Sequence, residues 1–177
     1  MDSLSRCTMN KDFYRQLFAS DPQSVFDDEV VLVWVDWREA EDAIVEYVAS
    51  KLDGVNVVVA IDDADNDHGY IVSISSNGRT LAVDPSAEFD CRHATLNAID
   101  ELISTGYQIR FAVATNGGDT VGIAVERLVD WQALRAEHGH VVDEQFCPIR
   151  ELPDLMNTPG NELDDACRAY ADRVGES

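Results

Sequence analysis

Residues Val30 to Val35 read Val-Val-Leu-Val-Trp-Val, and this run limits the possible folds more than any other stretch of the chain. Successive side chains of a strand point to opposite faces, so an unbroken apolar, β-branched run suits a strand buried above and below. It is far too short to span a bilayer. A strand of that kind needs cover on both sides, and a sheet packed against helices supplies it.

The remaining segments fit around that strand. Phe13, Tyr14, Leu17 and Phe18 fall on one side of a helix from about Asn10 to Ala19, which Ser20-Asp21-Pro22 ends. Ala40, Ala43, Ile44, Tyr47, Val48 and Leu52 recur at helical spacing opposite Glu39, Glu41, Asp42 and Glu46, and Asp53-Gly54 stops that helix. Val55 to Ile61 reads as a second buried strand. An acidic loop, Asp62 to Asp67, leads to a strand over Tyr70 to Ser75. Asn77-Gly78 is a strong hairpin signal, because both turn positions want positive φ, and Arg79 to Val83 is the return strand.

Asp90 is placed to cap a helix from Cys91 to about Ser104, with Leu96, Ile99, Leu102 and Ile103 inward. Tyr107 to Ala114 and Thr120 to Val125 read as paired strands, Arg127 to His138 as a helix and Val141 to Ile149 as a strand. Pro148, Pro153 and Pro159 make the next region loop-rich. Leu163, Ala166, Cys167, Tyr170, Ala171 and Val174 give a terminal amphipathic helix. Residues 38–75 and 92–125 repeat one order: helix, Gly, strand, polar loop, strand. The expectation is one α+β domain over residues 1–177, with a single mixed, mostly antiparallel sheet and amphipathic helices against it.

Charge narrows the function. Thirteen Lys and Arg stand against 34 Asp and Glu, a formal charge of −21 over 177 residues. Nucleic-acid binding needs cations to displace phosphate counterions, and anionic membranes need the same, so neither partner is expected. A basic protein is the partner such a surface attracts. Host adaptation is the competing account, since the cations are mostly Arg and Asp outnumbers Glu. The polar stretch Met1 to Lys11 holds no signal-like apolar segment, and a cytoplasmic location with reduced thiols is expected.

Metal and cofactor motifs are thin. Cys7, Cys91, Cys147 and Cys167 form no C-x-x-C pair. Read as a calcium loop from Asp63, the acids Asp65 and Asp67 fit, but His68 stands at the glycine place and Ile74 at the bidentate glutamate place. His138-Gly139-His140 lacks an evident third ligand. No nucleophile elbow, phosphate loop or dinucleotide fingerprint occurs, so no metal, cofactor or catalytic residue is expected.

Two resemblances bear on function. The acidic loop Asp62, Asp63, Asp65 and Asp67, the acidic face Glu162, Asp164 and Asp165 of the last helix, and the α/β order are similar to bacterial toxin-immunity proteins. That resemblance implies an inhibitor that occludes a basic toxin, with nucleases as natural targets because their clefts are cationic. These acids are the expected partner-binding residues. Phe89-Asp90-Cys91, with Gly139-His140-Val141 downstream, resembles the NlpC/P60 papain-like peptidases. It implies a thiol hydrolase using Cys91 with His138 or His140, although Arg92 and His93 stand where that family has small residues. An inhibitory, non-enzymatic role is the leading expectation.

Overall fold

The computed structural model describes residues 11–19, 31–66, 68–83 and 90–175. In chain order the elements are α1 Lys11–Ala19, β1 Leu32–Asp36, α2 Glu41–Ala49, β2 Val57–Asp63, β3 Tyr70–Ser76, β4 Arg79–Val83, α3 Cys91–Ile103, β5 Tyr107–Ala112 and β6 Thr120–Arg127. They continue as α4 Leu128–His138, α5 Val141–Gln145, β7 Phe146–Pro148 and α6 Gly160–Gly175. The class is α+β. Among the described residues no helix is long and apolar enough to cross a membrane.

Two antiparallel sheets form where one was expected. The first has the order β1-β6-β5-β7 and the second β2-β3-β4. The two helix-and-hairpin units therefore part company, β2-β3 going to one sheet and β5-β6 to the other. The reason lies in α3. Its buried residues Cys91, His93, Thr95, Leu96, Ile99, Asp100, Leu102 and Ile103 spread over more than half of the helix surface. A helix buried on so wide an arc packs on two sides, and α3 touches β3 and β4 of one sheet and β5 of the other.

The result is layered. One core joins Val33, Val35, Ile109, Phe111 and Ile123 of the four-stranded sheet, through α2 and α3, to Val57, Val72, Ile74 and Val83 of the three-stranded sheet. A second core on the far face of the four-stranded sheet gathers Phe13, Tyr14, Leu17, Leu32, Trp131, Leu134, Val142 and Phe146. The run through β1 is buried on both sides as its composition demands: Val33 and Val35 enter the first core, Leu32 the second. Close packing also explains Gly122, opposite Trp34, where a Cβ would lie 2.9 Å from the Thr115 side chain and 3.1 Å from Leu32.

Local chemistry sets several boundaries. Asn77 and Gly78 adopt φ of 51° and 77°, the geometry of a primed turn between β3 and β4. Asp90 caps α3, accepting a hydrogen bond from the Arg92 backbone N–H at 2.9 Å. The strand expected over residues 141–149 is instead α5 followed by the short β7. Val141-Val142 is β-branched, but a buried ion pair overrides the propensity: Asp143, fully buried, accepts from Arg110 Nη1 at 3.0 Å, and Arg135 Nε lies 2.9 Å from its other oxygen.

Candidate functional site

The acids named from the sequence fall into two groups of different standing. Asp62 and Asp63 are not in a loop. They are the last residues of β2, both exposed, and Asp65 follows them in the turn. Asp67 lies outside the described residues. Glu162, Asp164 and Asp165 are exposed on α6, which packs on α5 and β7 and so belongs to the four-stranded side. The structure does not gather the two groups on one element.

Their electrostatic state separates them further. Every arginine among the described residues forms an ion pair with a carboxylate of the same chain. On α6, Arg168 pairs with Asp165 at 3.2 Å, and Asn116 Nδ2 donates to Asp164 at 2.6 Å, which leaves Glu162. At the end of β2 no such neutralisation occurs: among the described residues Asp62, Asp63 and Asp65 make no side-chain hydrogen bond or ion pair. The surrounding turn is organised by Asn66, whose side-chain oxygen accepts from the Gly69 N–H at 2.7 Å and whose amide donates to the Tyr70 carbonyl at 2.8 Å. Three carboxylates are thereby presented to solvent on an ordered support.

β2 itself corrects the expectation of a buried strand. Among the described residues it pairs only with β3, so no described strand covers its other edge. Register fixes the faces. Val57, Val59, Ile61 and Asp63 share a face with Ser76, Ile74, Val72 and Tyr70, the side that packs inward. Val58, Ala60 and Asp62 share the outer face with Ser75, Ser73 and Ile71. Cover runs out toward the end of the strand, where Ile61 is 49% exposed although it points inward, and Val58 is 50% exposed on the outside. Apart from Val58 and Ile71 the outer face of the sheet is small or polar, with Ser75 and Thr80 hydroxyls 2.8 Å apart.

A concavity runs along the edge of β1 that no described strand pairs. Leu32, Val33 and Trp34 form its floor, and Glu39, Tyr47, Ser50 and Lys51 its wall, enclosing about 400 Å³. Tyr47 donates to Glu39 at 3.1 Å, and Trp37 nearby in sequence is 55% exposed with the Arg38 guanidinium 5.0 Å from its ring. Aromatic and arginine side chains of this kind anchor protein interfaces.

Cys91 stands in a setting unlike that of a thiolate nucleophile. It opens α3, but it is buried, and desolvation followed by its hydrogen bond to Glu41 pushes the thiol up to about 12. The Tyr70 hydroxyl also donates to Glu41, at 3.4 Å. The two downstream histidines are engaged elsewhere. His138 packs on Phe18 at 4.8 Å, and His140 lies 3.4 Å from Glu144. No group of three or more His, Cys, Asp or Glu side chains is arranged to hold a metal ion among the described residues.

Sequence reasoning passed over a polar cluster inside the first core. His93 is fully buried beside α6's approach loop: the Leu155 N–H donates to its Nδ1 at 3.2 Å, and the Asn97 amide is 2.9 Å from Nε2. Burial holds its pKa below the ordinary histidine value. The Asn97 atom that faces Nε2 is its side-chain nitrogen, and the Asn97 side-chain carbonyl oxygen is buried without a hydrogen-bond partner among the described residues. Asp154, fastened by the Asp90, Met156 and Asn157 backbone N–H groups, closes the same corner. The arrangement is a hydrogen-bond network joining α3 to residues 154–157, and its only sequence signal was a histidine three places after the helix cap.

No protein-family model, curated protein or solved structure matches this chain.

Proposed function

We propose that this chain is a binding protein that neutralises a basic partner protein by covering its cationic surface, in the manner of bacterial toxin-immunity proteins. The observation that carries the reading is the unequal use of charge. Each described arginine is consumed by an internal carboxylate, while Asp62, Asp63 and Asp65 are left exposed and unpaired at the end of β2. Net negative charge of −21 gives long-range attraction for a cation-rich surface, and a rigid strand end holds the local charge in place at no ordering cost on docking. A nuclease toxin fits that description because its cleft is built to hold phosphates. The α6 acids contribute to the general field, and the Glu162 side chain makes no hydrogen bond or ion pair among the described residues.

The test is a titration of the purified product of the gene immediately upstream against this protein at two ionic strengths. A complex is expected whose association rate falls steeply with salt, and which Asp62→Lys/Asp63→Lys weakens by about tenfold or more without altering the fold. Absence of a complex, or one indifferent to both salt and charge reversal, overturns the proposal. A buried Cys91 acting as nucleophile has no geometric support to set beside it.

A further inference from the structure

We infer that β2 is a docking edge: it receives an extended segment of the basic partner as a fourth strand on the β2-β3-β4 sheet. This rests on the proposed function and specifies how the partner is held.

Three features converge on the edge. β2 is seven residues long, pairs on one side only among the described residues, and is free of proline and bulge across its whole register with β3. Edge strands are ordinarily blunted by proline, bulges, shortness or charge, and β2 uses only the last, in Asp62 and Asp63 at its end. Apolar cover ends before the strand does, so the inward-facing Ile61 is half exposed at the very place where an added strand would bring side chains against it. The unpaired carboxylates Asp62 and Asp63 sit immediately beyond, one on each face of the sheet.

Charge selects the occupant. A second copy of this chain brings another net charge of −21 and no free arginine among its described residues, so self-pairing is opposed. A basic segment is favoured, and the register spells out its pattern. In antiparallel addition, cross-strand neighbours on one face lie about 5 Å apart. The positions opposite Asp63 and Asp62 are then Lys or Arg. The position opposite Ile61 is apolar, the next opposite Ala60 is small or polar, and that opposite Val59 is apolar again. Backbone hydrogen bonds to the free edge supply affinity, and the alternation supplies specificity.

The experiment uses the full chain and a capped peptide, Lys-Lys-Val-Thr-Val, followed by fluorescence anisotropy and hydrogen exchange. Two controls accompany it: Lys-Lys-Gly-Ser-Gly, with the same charge and little strand propensity, and the first peptide N-methylated at alternate amides, which cannot pair. The strand-forming peptide is expected to bind about tenfold more tightly than either control. It is also expected to slow exchange of the unpaired β2 amides, and to lose that advantage against Ile61→Lys. Equal affinity for all three peptides would overturn strand addition while leaving the charge-based reading standing. No binding of any peptide, with no salt-dependent contact, would overturn both.

Discussion

Removing the Asp143 carboxylate is the sharpest test of how this fold is held together. Asp143 is fully buried on α5 and lies between two guanidinium groups. Arg110 reaches it from β5 at 3.0 Å, and Arg135 reaches it from α4 at 2.9 Å. Arg110 is itself buried. Its remaining partners are neutral: Gln108 Oε1 at 2.9 Å, the Phe146 carbonyl at 3.4 Å and the Trp131 ring, 4.6 Å away. Asp143→Ala therefore leaves a buried cation without a counter-charge, a defect that costs about 3–5 kcal/mol. For a domain of this size that corresponds to a fall in Tm on the order of 6–20 °C. Arg135 is 43% exposed at the side chain, so Arg135→Gln is expected to cost only about 1 kcal/mol or less. Paired replacement, Arg110→Met with Asp143→Leu, removes both charges and is expected to be less damaging than Asp143→Ala alone. Urea unfolding followed by far-ultraviolet circular dichroism measures all four proteins. An Asp143→Ala variant within 1 kcal/mol of the parent, or a double variant weaker than the single one, would refute the reasoning.

Two further outcomes follow from perturbed titrations. Desolvation at the foot of β6, reinforced by Asp130, raises the Glu126 carboxyl from 4.5 to about 7, although the Tyr14 hydroxyl donating at 3.1 Å favours the charged form. The folded state thus holds a proton that the unfolded chain releases. This stabilisation is complete below pH 4.5 and disappears as pH rises through 7, with a span of about 3 kcal/mol at most. Denaturant midpoints measured across that range should decline with pH in the parent, and Glu126→Gln should flatten that component. At Cys91, a thiol pushed up to about 12 keeps roughly one molecule in ten thousand as thiolate at pH 8. Iodoacetamide is expected to label it in the native protein no faster than Cys147 or Cys167, which are also buried, and mass spectrometry of timed samples reads this directly. Selective, rapid labelling of Cys91 would restore the case for a nucleophile.

The legible parts of the fold were those governed by neighbours in sequence. The Asn77-Gly78 turn, the Asp90 cap, the short first helix and the amphipathic last helix all depend on chemistry within a few residues, and each lies where its residues imply. What escaped is non-local. Pairing of β1 with β6 joins residues some ninety positions apart, and nothing in either strand announces that β2-β3-β4 will form a separate sheet. The α5 turn depends on two arginines from other elements, which no local propensity contains. Arg150 and Asp100, 2.7 Å apart across fifty residues, make the same point. The candidate site was half legible. Its carboxylates stood out in the sequence, but which of them remain unpaired depends on where every arginine comes to rest.

The layered arrangement keeps two tasks in different residues. What holds the molecule together is the pair of helices α2 and α3 clasped between sheets and the aromatic core beyond β1. The solvent side of the three-stranded sheet carries Val58, Ala60, Asp62, Ser73, Ser75, Thr80 and Ala82, side chains that fill no interior space. Substitutions there leave the interior untouched. Such a surface can be rewritten residue by residue while the framework beneath it stays as it is.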